Sequence, residues 1–410
     1  MTRQVSIAVI GGGIVGCSVL YCLARHGITD TVLLEKHELT SGSTWHAAGN
    51  TTFFGHYPSI TRLYVNSVRT YLEAEAECGQ SVGFHDAGSI RIANTPAELE
   101  SYKKLEPVYA ELEIPYRVID RDEIERLHPL LNTDGMLGAA HTPTDGHLDA
   151  SGACHAVARC ARLRGAEIRR NCDVEKLEAR GTGWLLHTSD GPIAAERVVI
   201  ANSFWSRELG AGIGLDIPVF AVKHHALVTE RIDQLAELGF EVPTIRDSHG
   251  QYNMRQEGLG FLSGIYEADA LFWALDGVPP DFNQGLFEPE LERMEANLEK
   301  VIERVPAFAS VGIKQVIHGA ICYTPDALPL LGPVEQYPGL WLATGFSIGI
   351  GTGAGSADYL AQWMVNGRPP YDLPVVYPSR FGRGLPLDEC LQRIRNVYRT
   401  GYATGQGGSV

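Results

Sequence analysis

Near its N-terminus the chain carries a glycine-rich turn between two short apolar runs, and this feature restricts the fold more than any other. Residues 5–10 have the composition of a buried strand, and Gly11, Gly13 and Gly16 follow in the spacing of a strand-to-helix turn. A second apolar run comes after the predicted helix and ends at Glu35. The pattern predicts a βαβ unit whose first turn binds a dinucleotide.

Each residue of this turn has a physical role in such a site. Gly11 permits the tight turn, Gly13 lets a pyrophosphate approach the helix N-terminus, and Gly16 lets helix and strand pack closely. Glu35 ends the second strand, where its carboxylate can accept hydrogen bonds from a ribose. The other candidates for this end of the site are Ile14, Val15 and Lys36.

Charge and hydropathy exclude several classes of partner. The 410 residues carry a net charge of −15 with a pI near 5.4, so most of the surface repels a phosphate backbone or an anionic membrane. No run of about 18 apolar residues predicts a membrane span. The first residues lack a basic segment and a small-residue cleavage site. We therefore expect a cytosolic protein without nucleic-acid partners.

Eight cysteines are scattered along the chain without any C-x-x-C pair. This spacing favours buried free thiols over a disulfide framework or a zinc site. We expect no metal centre. Glycine is frequent, 45 of 410 residues, as expected where backbone closely approaches a ligand.

Two later segments have the same kind of sequence pattern as the first βαβ unit. Residues 197–202, with four apolar residues at their centre, predict a buried strand of the kind that parallel sheets use. Residues 340–344 predict another strand, which leads into a second glycine-rich turn at 345–355 and a helix over about 354–365. The parallel sheet is therefore assembled from separate parts of the chain.

A different pattern lies between these segments. Long strands are predicted at 219–229, 251–255 and 259–266, with one amphipathic helix at 289–305. A last helix, predicted over 389–402, packs on the surface. The fold class is α/β with an α+β lobe: a Rossmann-like domain and a second domain built on a mixed, mainly antiparallel sheet.

The sequence resembles the FAD-dependent amine and amino-acid oxidoreductases of the D-amino acid oxidase superfamily, and within it the dimethylglycine and sarcosine dehydrogenases and dimethylglycine oxidase. The resemblance rests on the N-terminal glycine turn and on blocks at residues 38–49, 142–147, 227–230, 255–257, 324–326 and 345–350. It implies a discontinuous FAD-binding domain at 1–80, 145–215 and 316–370, a substrate domain at 81–144 and 216–315, and a C-terminal tail at 371–410.

The resemblance also implies how the flavin is held. In this family the histidine of the Ser-Thr-Trp-His-Ala-Ala-Gly block carries the flavin covalently through its 8α-methyl group, and here it is His46. The second glycine-rich turn opens a helix whose N-terminus stabilises charge on the reduced flavin. The further cofactor-binding residues implied are Ser43, Thr44, Trp45, Ala47, Ala48, Thr52, Val174, Gly345, Phe346, Ile348, Gly349 and Ile350.

Catalytic candidates come from two strand motifs. The family's His-Gln-Tyr corresponds to His224-His225-Ala226, and its Tyr-Tyr-x-Arg begins here at Tyr252. His224 and His225 point to opposite faces of their strand, so only one can face the flavin, and the match to the family's first histidine favours His224. A neutral imidazole there can accept the ammonium proton of an amine. Arg91 and Arg255 are candidates for pairing with a substrate carboxylate.

The resemblance implies oxidative demethylation of a small N-methyl amino acid, with a hydride moving from the carbon next to nitrogen to flavin N5 to give an iminium. Relatives of this type usually continue into a folate-binding domain that this sequence does not include, so the one-carbon product either passes to a separate folate-binding subunit or escapes to solvent. An electron-transfer flavoprotein is the other partner that we expect. A non-catalytic flavoprotein like the regulatory subunit of pyruvate dehydrogenase phosphatase is the alternative. The sequence is compatible with both an oxidase and a dehydrogenase.

Overall fold

A computed structural model describes residues 3–52, 58–382 and 384–400. The helices are α1 (Ile14–Arg25), α2 (Pro58–Cys78), α3 (Pro96–Glu111), α4 (Arg121–Leu127), α5 (Ala150–Leu163), α6 (Ser206–Ala211), α7 (Asp233–Leu238), α8 (Glu295–Arg304), α9 (Gly349–Asn366) and α10 (Leu387–Arg399).

The strands build two sheets. They are β1 (Arg3–Ile10), β2 (Thr31–Leu34), β3 (Ser89–Ala93), β4 (Arg117–Ile119), β5 (Gly138–Thr142), β6 (Glu167–Arg169), β7 (Val174–Arg180), β8 (Gly183–Thr188), β9 (Ile193–Ile200), β10 (Phe220–Thr229), β11 (Thr244–Asp247), β12 (Tyr252–Glu257), β13 (Gly260–Ile265), β14 (Leu271–Trp273), β15 (Ile313–Tyr323), β16 (Leu330–Pro333) and β17 (Leu340–Thr344).

The first sheet has the order β16-β17-β9-β1-β2-β6 and carries the β7–β8 hairpin on β9. Strand β1 pairs in parallel with β2 and β9, and β17 pairs in parallel with β9. Helices α1, α2, α5 and α9 pack together on one face, where their apolar side chains form the largest hydrophobic core. This is the predicted Rossmann-like unit, assembled from separate segments of the chain.

The second sheet has the order β14-β10-β13-β12-β11-β3-β5-β4, with β15 also paired to β10. All its pairings are antiparallel except that of β11 with β3. The predicted mixed, mainly antiparallel sheet is therefore confirmed. Because β15 belongs to this sheet, the boundary that we predict at residue 316 falls inside a strand.

Local signals placed several helix ends correctly. Thr95 and Glu98 form the predicted capping box at the start of α3. The side chains of Asp120 and Asp149 accept the backbone N–H groups that begin α4 and α5. All eight cysteines are buried and free, as predicted.

The second glycine-rich segment is helical earlier than predicted, because α9 begins at Gly349 and not near 354. The reason is packing against α2. A Cβ at Gly355 would lie 2.0 Å from the Leu63 carbonyl oxygen, and one at Gly351 would lie 2.9 Å from the Tyr64 ring. These glycines permit close contact between two helices, whereas the sequence pattern suggested a longer turn.

Two predictions about later helices also need correction. Helix α8 begins at Glu295, after a short 3-10 turn, and Leu291, which lies within the predicted amphipathic helix, is 49% exposed. Helix α10 begins at Leu387, and residues 401–402 of its predicted range lie outside the described residues. It is more than a surface helix, because Tyr398 and Ile394 are fully buried against β10 and β15.

Candidate active site

One cavity of about 510 Å³ lies where the carboxyl ends of the parallel strands meet the second sheet. Most of the predicted cofactor residues line it. Those that do are Gly11, Gly13, Ile14, Val15, Glu35, Lys36, Ser43, Thr44, His46, Ala47, Ala48, Thr52, Val174, Gly345, Phe346, Ile348, Gly349 and Ile350. Gly16 and Trp45 are not among the lining residues.

The glycine turn packs too tightly for side chains. Gly11 adopts φ +111°, and a Cβ there would lie 2.6 Å from the Ala201 carbonyl oxygen. A Cβ at Gly16 would lie only 1.9 Å from the Gly11 carbonyl oxygen, so Gly16 provides the close helix–strand packing that we predicted for it. The backbone of this turn is thereby open to the cavity at the N-terminus of α1.

Glu35 is fixed by the backbone on both sides. Its Oε2 accepts the Gly12 N–H at 2.6 Å, and its Oε1 accepts the His37 N–H at 2.7 Å. Burial raises the pKa of this carboxyl, and the two backbone hydrogen bonds oppose the rise. The carboxylate therefore lies rigidly at the end of β2, beside the glycine turn.

The segment from Ser43 to Asn50 is hydrogen bonded to helix α1 and to the second sheet. The hydroxyl of Ser43 donates to the Ala320 carbonyl oxygen at 2.7 Å, and the hydroxyl oxygen of Thr44 accepts the Ile14 N–H at 3.1 Å. Asn50 donates to the Asn253 side chain at 3.1 Å. This loop therefore connects the first turn of α1 to the strands of the second sheet.

His46 lies against the backbone of β15. A Cβ at Gly319 would come within 2.5 Å of the His46 ring, so only glycine leaves room for the ring in this position. Gly319 pairs directly with His224 of β10, which places both histidines on the same face of the second sheet. Burial lowers the pKa of His46 to about 4, so its imidazole is neutral at pH 7.

The two adjacent histidines of β10 do point to opposite faces. His224 lines the cavity, and burial lowers its pKa to about 4. His225 is fully buried on the other face, where it contacts Glu267 and stacks on His318 at 3.6 Å. The structure thus brings His224 to the cavity and leaves His225 out of it.

Strand β12 presents other residues to the cavity than those we expected. Tyr252 is 1% exposed in the core behind the sheet, and its hydroxyl has no partner among the described residues. Its neighbour Asn253 lines the cavity instead. Arg255 does not line the cavity; its Nε donates to the Ala48 carbonyl oxygen at 2.6 Å, and its guanidinium pairs with Glu257. Arg255 therefore fixes the loop that carries His46.

Two arginines lie together in the cavity wall. Arg91 of β3 pairs in register with Arg246 of β11, and both line the cavity. Burial, together with the nearby charge of Arg246, lowers the pKa of Arg91 to about 10. The Arg246 guanidinium also lies 5.4 Å from the centre of the Tyr266 ring. Arg246 was not predicted, because the four-residue strand β11 has no strong alternation of apolar and polar residues.

The nucleotide end of the cavity fits a dinucleotide. The glycine turn offers backbone without side chains, and Glu35 is positioned beside it. The buried Nε2 of His37, in the same wall, has no hydrogen-bond partner among the described residues. A polar ligand would satisfy that nitrogen.

One group of potential metal ligands lies outside the cavity. His85, His147 and Glu241 place three ligand atoms within 4.8 Å of one another. Each histidine is hydrogen bonded to a different oxygen of Glu241, at 2.8 and 2.6 Å. The two rings are stacked with only 12° between their planes, so their in-plane lone pairs do not converge on one point. The contacts are those of a hydrogen-bonded cluster.

A parallel sheet with this turn, opening into a cavity lined by buried titratable groups, defines the class of dinucleotide-binding oxidoreductases. Sequence comparison makes the class specific. The chain belongs to the family of FAD-dependent oxidoreductases (DAO), which it matches over residues 6–363.

Among curated relatives, the chain is 40% identical over 396 residues to mitochondrial dimethylglycine dehydrogenase of Mus musculus, covering 95% of this chain and 46% of that protein. It is 34% identical over 390 residues to mitochondrial sarcosine dehydrogenase of Homo sapiens, covering 93% and 42%. It thus spans less than half the length of these relatives. The fold matches L-proline dehydrogenase from P. horikoshii with a TM-score of 0.83 at 24% identity, covering 94% of this chain and 100% of that one.

Within the described part of the chain, no helix combines the length and apolar character needed to cross a membrane. Both curated relatives are named as mitochondrial proteins. Our expectation of a cytosolic location therefore stays a prediction.

Proposed function

We propose that this chain is the flavin-binding part of an enzyme that oxidatively demethylates a small N-methyl amino acid, such as dimethylglycine or sarcosine. The observation that carries the proposal is that one cavity contains the glycine turn, His46, His224 and a pair of arginines. The substrate class is supported by the match to dimethylglycine dehydrogenase, which covers 95% of the chain at 40% identity.

Several parts of the cavity would hold FAD. Glu35 would accept hydrogen bonds from the ribose, and the turn at Gly11 and Gly13 would lie against the pyrophosphate. The N-terminus of α9 at Gly349 would stabilise negative charge on the ring system. When bound, FAD supplies the hydride acceptor.

We propose further that His46 carries the flavin covalently. A neutral imidazole whose ring lies at the cavity wall suits such a bond, and the contacts of Ser43, Thr44 and Arg255 keep its loop in place.

Acid precipitation tests this bond. The precipitated wild-type protein should retain the yellow colour, and His46→Ala should release it. His224→Ala is the matched control, because it removes another cavity imidazole and should leave the bond intact. Free flavin from the wild type would contradict the proposal.

At the substrate end, the two functional groups of an N-methyl amino acid find complementary partners. Arg91 and Arg246 would bind the carboxylate. His224, neutral at pH 7, would accept the ammonium proton, which frees the nitrogen lone pair. The methyl carbon can then lose a hydride, leaving an iminium that water hydrolyses to the demethylated amine and formaldehyde.

The substrate proposal is tested by anaerobic mixing with a panel of N-methyl amino acids, following the flavin absorbance near 450 nm. Dimethylglycine or sarcosine should bleach it. If no member of the panel does, the substrate assignment fails, and co-purification with a phosphatase would then favour the regulatory alternative. Turnover with oxygen and with an artificial acceptor, measured in parallel, separates an oxidase from a dehydrogenase that passes electrons to an electron-transfer flavoprotein. Formaldehyde captured only when a folate-binding chain is added would support a separate subunit.

A further inference from the structure

Behind the cavity, His224 begins a chain of buried hydrogen bonds that ends outside the site described so far. Its Nδ1 lies 3.0 Å from the hydroxyl oxygen of Tyr398, in α10. Tyr398 is hydrogen bonded to one carboxylate oxygen of Glu267, and His225 is hydrogen bonded to the other. The Nε2 of His225 accepts the Glu290 N–H at 3.1 Å.

We infer that Tyr398, Glu267 and His225 are positioning residues, which hold His224 in the tautomer that presents an unprotonated Nε2 to the cavity. This inference rests on the proposed function of His224 as the acceptor of the substrate proton. It gives a function to the C-terminal helix and to His225, neither of which reaches the cavity.

The direction of each hydrogen bond follows from the far end of the chain. Because His225 accepts a backbone N–H at Nε2, its proton lies on Nδ1 and is donated to Glu267. Glu267 accepts the Tyr398 hydroxyl with its second oxygen. Tyr398 has no other proton to donate, so its oxygen accepts the Nδ1 proton of His224. The remaining nitrogen, Nε2, then carries a lone pair.

Burial prevents these hydrogen bonds from reversing direction. Glu267 is 3% exposed, and Tyr398 and His225 are fully buried, so none of them can exchange a partner for water. Burial raises the pKa of Glu267, but the hydrogen bonds from His225 and Tyr398 and the nearby His224 lower it by more. The carboxyl group is therefore ionised at neutral pH and cannot donate to Tyr398. Burial beside Glu267 also holds the pKa of Tyr398 well above its ordinary value.

The network also stabilises the charge that develops when His224 acts. The substrate N–H bond breaks, the proton forms a new bond to Nε2, and the electron pair stays on the substrate nitrogen. The imidazolium then donates through Nδ1 to Tyr398, whose hydroxyl points to the Glu267 carboxylate. Other titratable groups also face this network. His318 is stacked on His225, His46 and Arg246 lie beside His224, and Arg293 lies near Tyr398. The Tyr266 ring packs against both His224 and Tyr398, and the Tyr323 ring packs against Tyr398.

The test compares Tyr398→Phe with Tyr359→Phe in the FAD-loaded protein. Both changes remove a buried tyrosine hydroxyl, but the hydroxyl of Tyr359 donates to the Tyr371 carbonyl oxygen, away from the cavity. The nitrogen chemical shifts of labelled His224 should report the Nδ1–H tautomer in the wild type and in Tyr359→Phe. In Tyr398→Phe the preference should be lost, and flavin reduction at saturating substrate should slow by at least about tenfold.

Glu267→Gln provides a second variant in case Tyr398→Phe does not fold. The amide of the new glutamine can donate an N–H group to the Tyr398 oxygen. The Tyr398 hydroxyl would then donate to Nδ1 of His224 and favour the Nε2–H tautomer. An Nε2–H tautomer in the wild type, or an unchanged tautomer in the folded variants, would overturn the inference. The nitrogen shifts need no substrate, so they remain decisive if no N-methyl amino acid reduces the flavin, a result that would count against the proposed function alone.

Discussion

The two ends of the cavity are built in different ways. At the nucleotide end, the turn from Gly11 to Gly16 and Glu35 come from one stretch of 25 residues, and Glu35 is hydrogen bonded to the backbone of Gly12 in that turn. At the substrate end, His46, Arg91, His224, Arg246 and Asn253 come from five separate segments. The first end depends on local conformation, whereas the second depends on the register of strands that are distant in sequence.

The largest expected effect follows from placing a methyl group in the nucleotide turn. In Gly16→Ala the new Cβ would lie 1.9 Å from the Gly11 carbonyl oxygen, so the turn and α1 cannot both keep their positions. We expect a loss of about 3 kcal/mol or more in the free energy of unfolding, together with loss of bound flavin. The ratio of absorbance at 450 and 280 nm measures the flavin content.

Gly212→Ala is the control for this change. Its Cβ would lie 3.4 Å from the nearest atom, an ordinary contact, in a residue of right-handed helical conformation. Equal flavin content in the two variants would show that the nucleotide end does not depend on the close contact within its turn.

The second prediction concerns the boundary between the two ends. Gly319→Ala would place a Cβ 2.5 Å from the His46 ring and displace it, while leaving the glycine turn unchanged. Because a displacement of about 1 Å can slow a reaction about 100-fold, covalent attachment should slow by about that factor while FAD still binds. Acid precipitation at increasing times measures the bound fraction. Gly42→Ala, with its nearest contact at 3.4 Å, should attach flavin at the wild-type rate.

The third prediction tests the substrate end. Arg246→Met removes one of the two charged partners that we propose for the carboxylate and should weaken binding of an N-methyl amino acid by about 2 kcal/mol, or about 30-fold. Substrate titrations of flavin reduction give the affinity. The exposed Arg126 provides the control variant, Arg126→Met. An unchanged affinity in Arg246→Met would remove this arginine from the site.

The smallest expected effect concerns a third buried histidine, which lies outside the cavity but has a pKa similar to those of the two cavity histidines. His128 is 1% exposed, neither ring nitrogen has a partner among the described residues, and burial lowers its pKa to about 4. Between pH 6.5 and 4 the unfolded chain binds a proton at His128 that the folded protein does not, so acid destabilises the fold.

From pH 7.5 to 5.5 this linkage amounts to about 1.3 kcal/mol. His128→Leu should reduce the loss of unfolding free energy over this range by that amount, as measured by urea unfolding at the two pH values. The exposed His155 gives the control, His155→Leu, in which the pH dependence should stay as in the wild type. If His128→Leu loses as much unfolding free energy between the two pH values as the wild type, other groups cause the acid sensitivity.

The same contrast explains what the sequence could predict. The strand-to-helix turn and the helix caps were predicted correctly because short stretches of sequence encode them. Glu35 reaches the turn from 23 residues away, but the βαβ pattern includes both. Strand β12 was also predicted, but Tyr252, our candidate on this strand, is buried away from the cavity. The next residue, Asn253, lines the cavity, because a shift of one residue in a strand changes the face. The α9 glycines were assigned to a turn because their contacts with α2 are distant in sequence.

We expect the substrate end of the cavity to recognise a carboxylate and an N-methyl ammonium group together. The most direct measurement is anaerobic flavin reduction by dimethylglycine and by the same amine with its carboxylate replaced by a hydroxymethyl group. With Arg91 and Arg246 in the cavity wall, dimethylglycine should bleach the flavin, and the alcohol should require at least about 30-fold more amine for the same rate. Equal reduction by the two amines would contradict the claim.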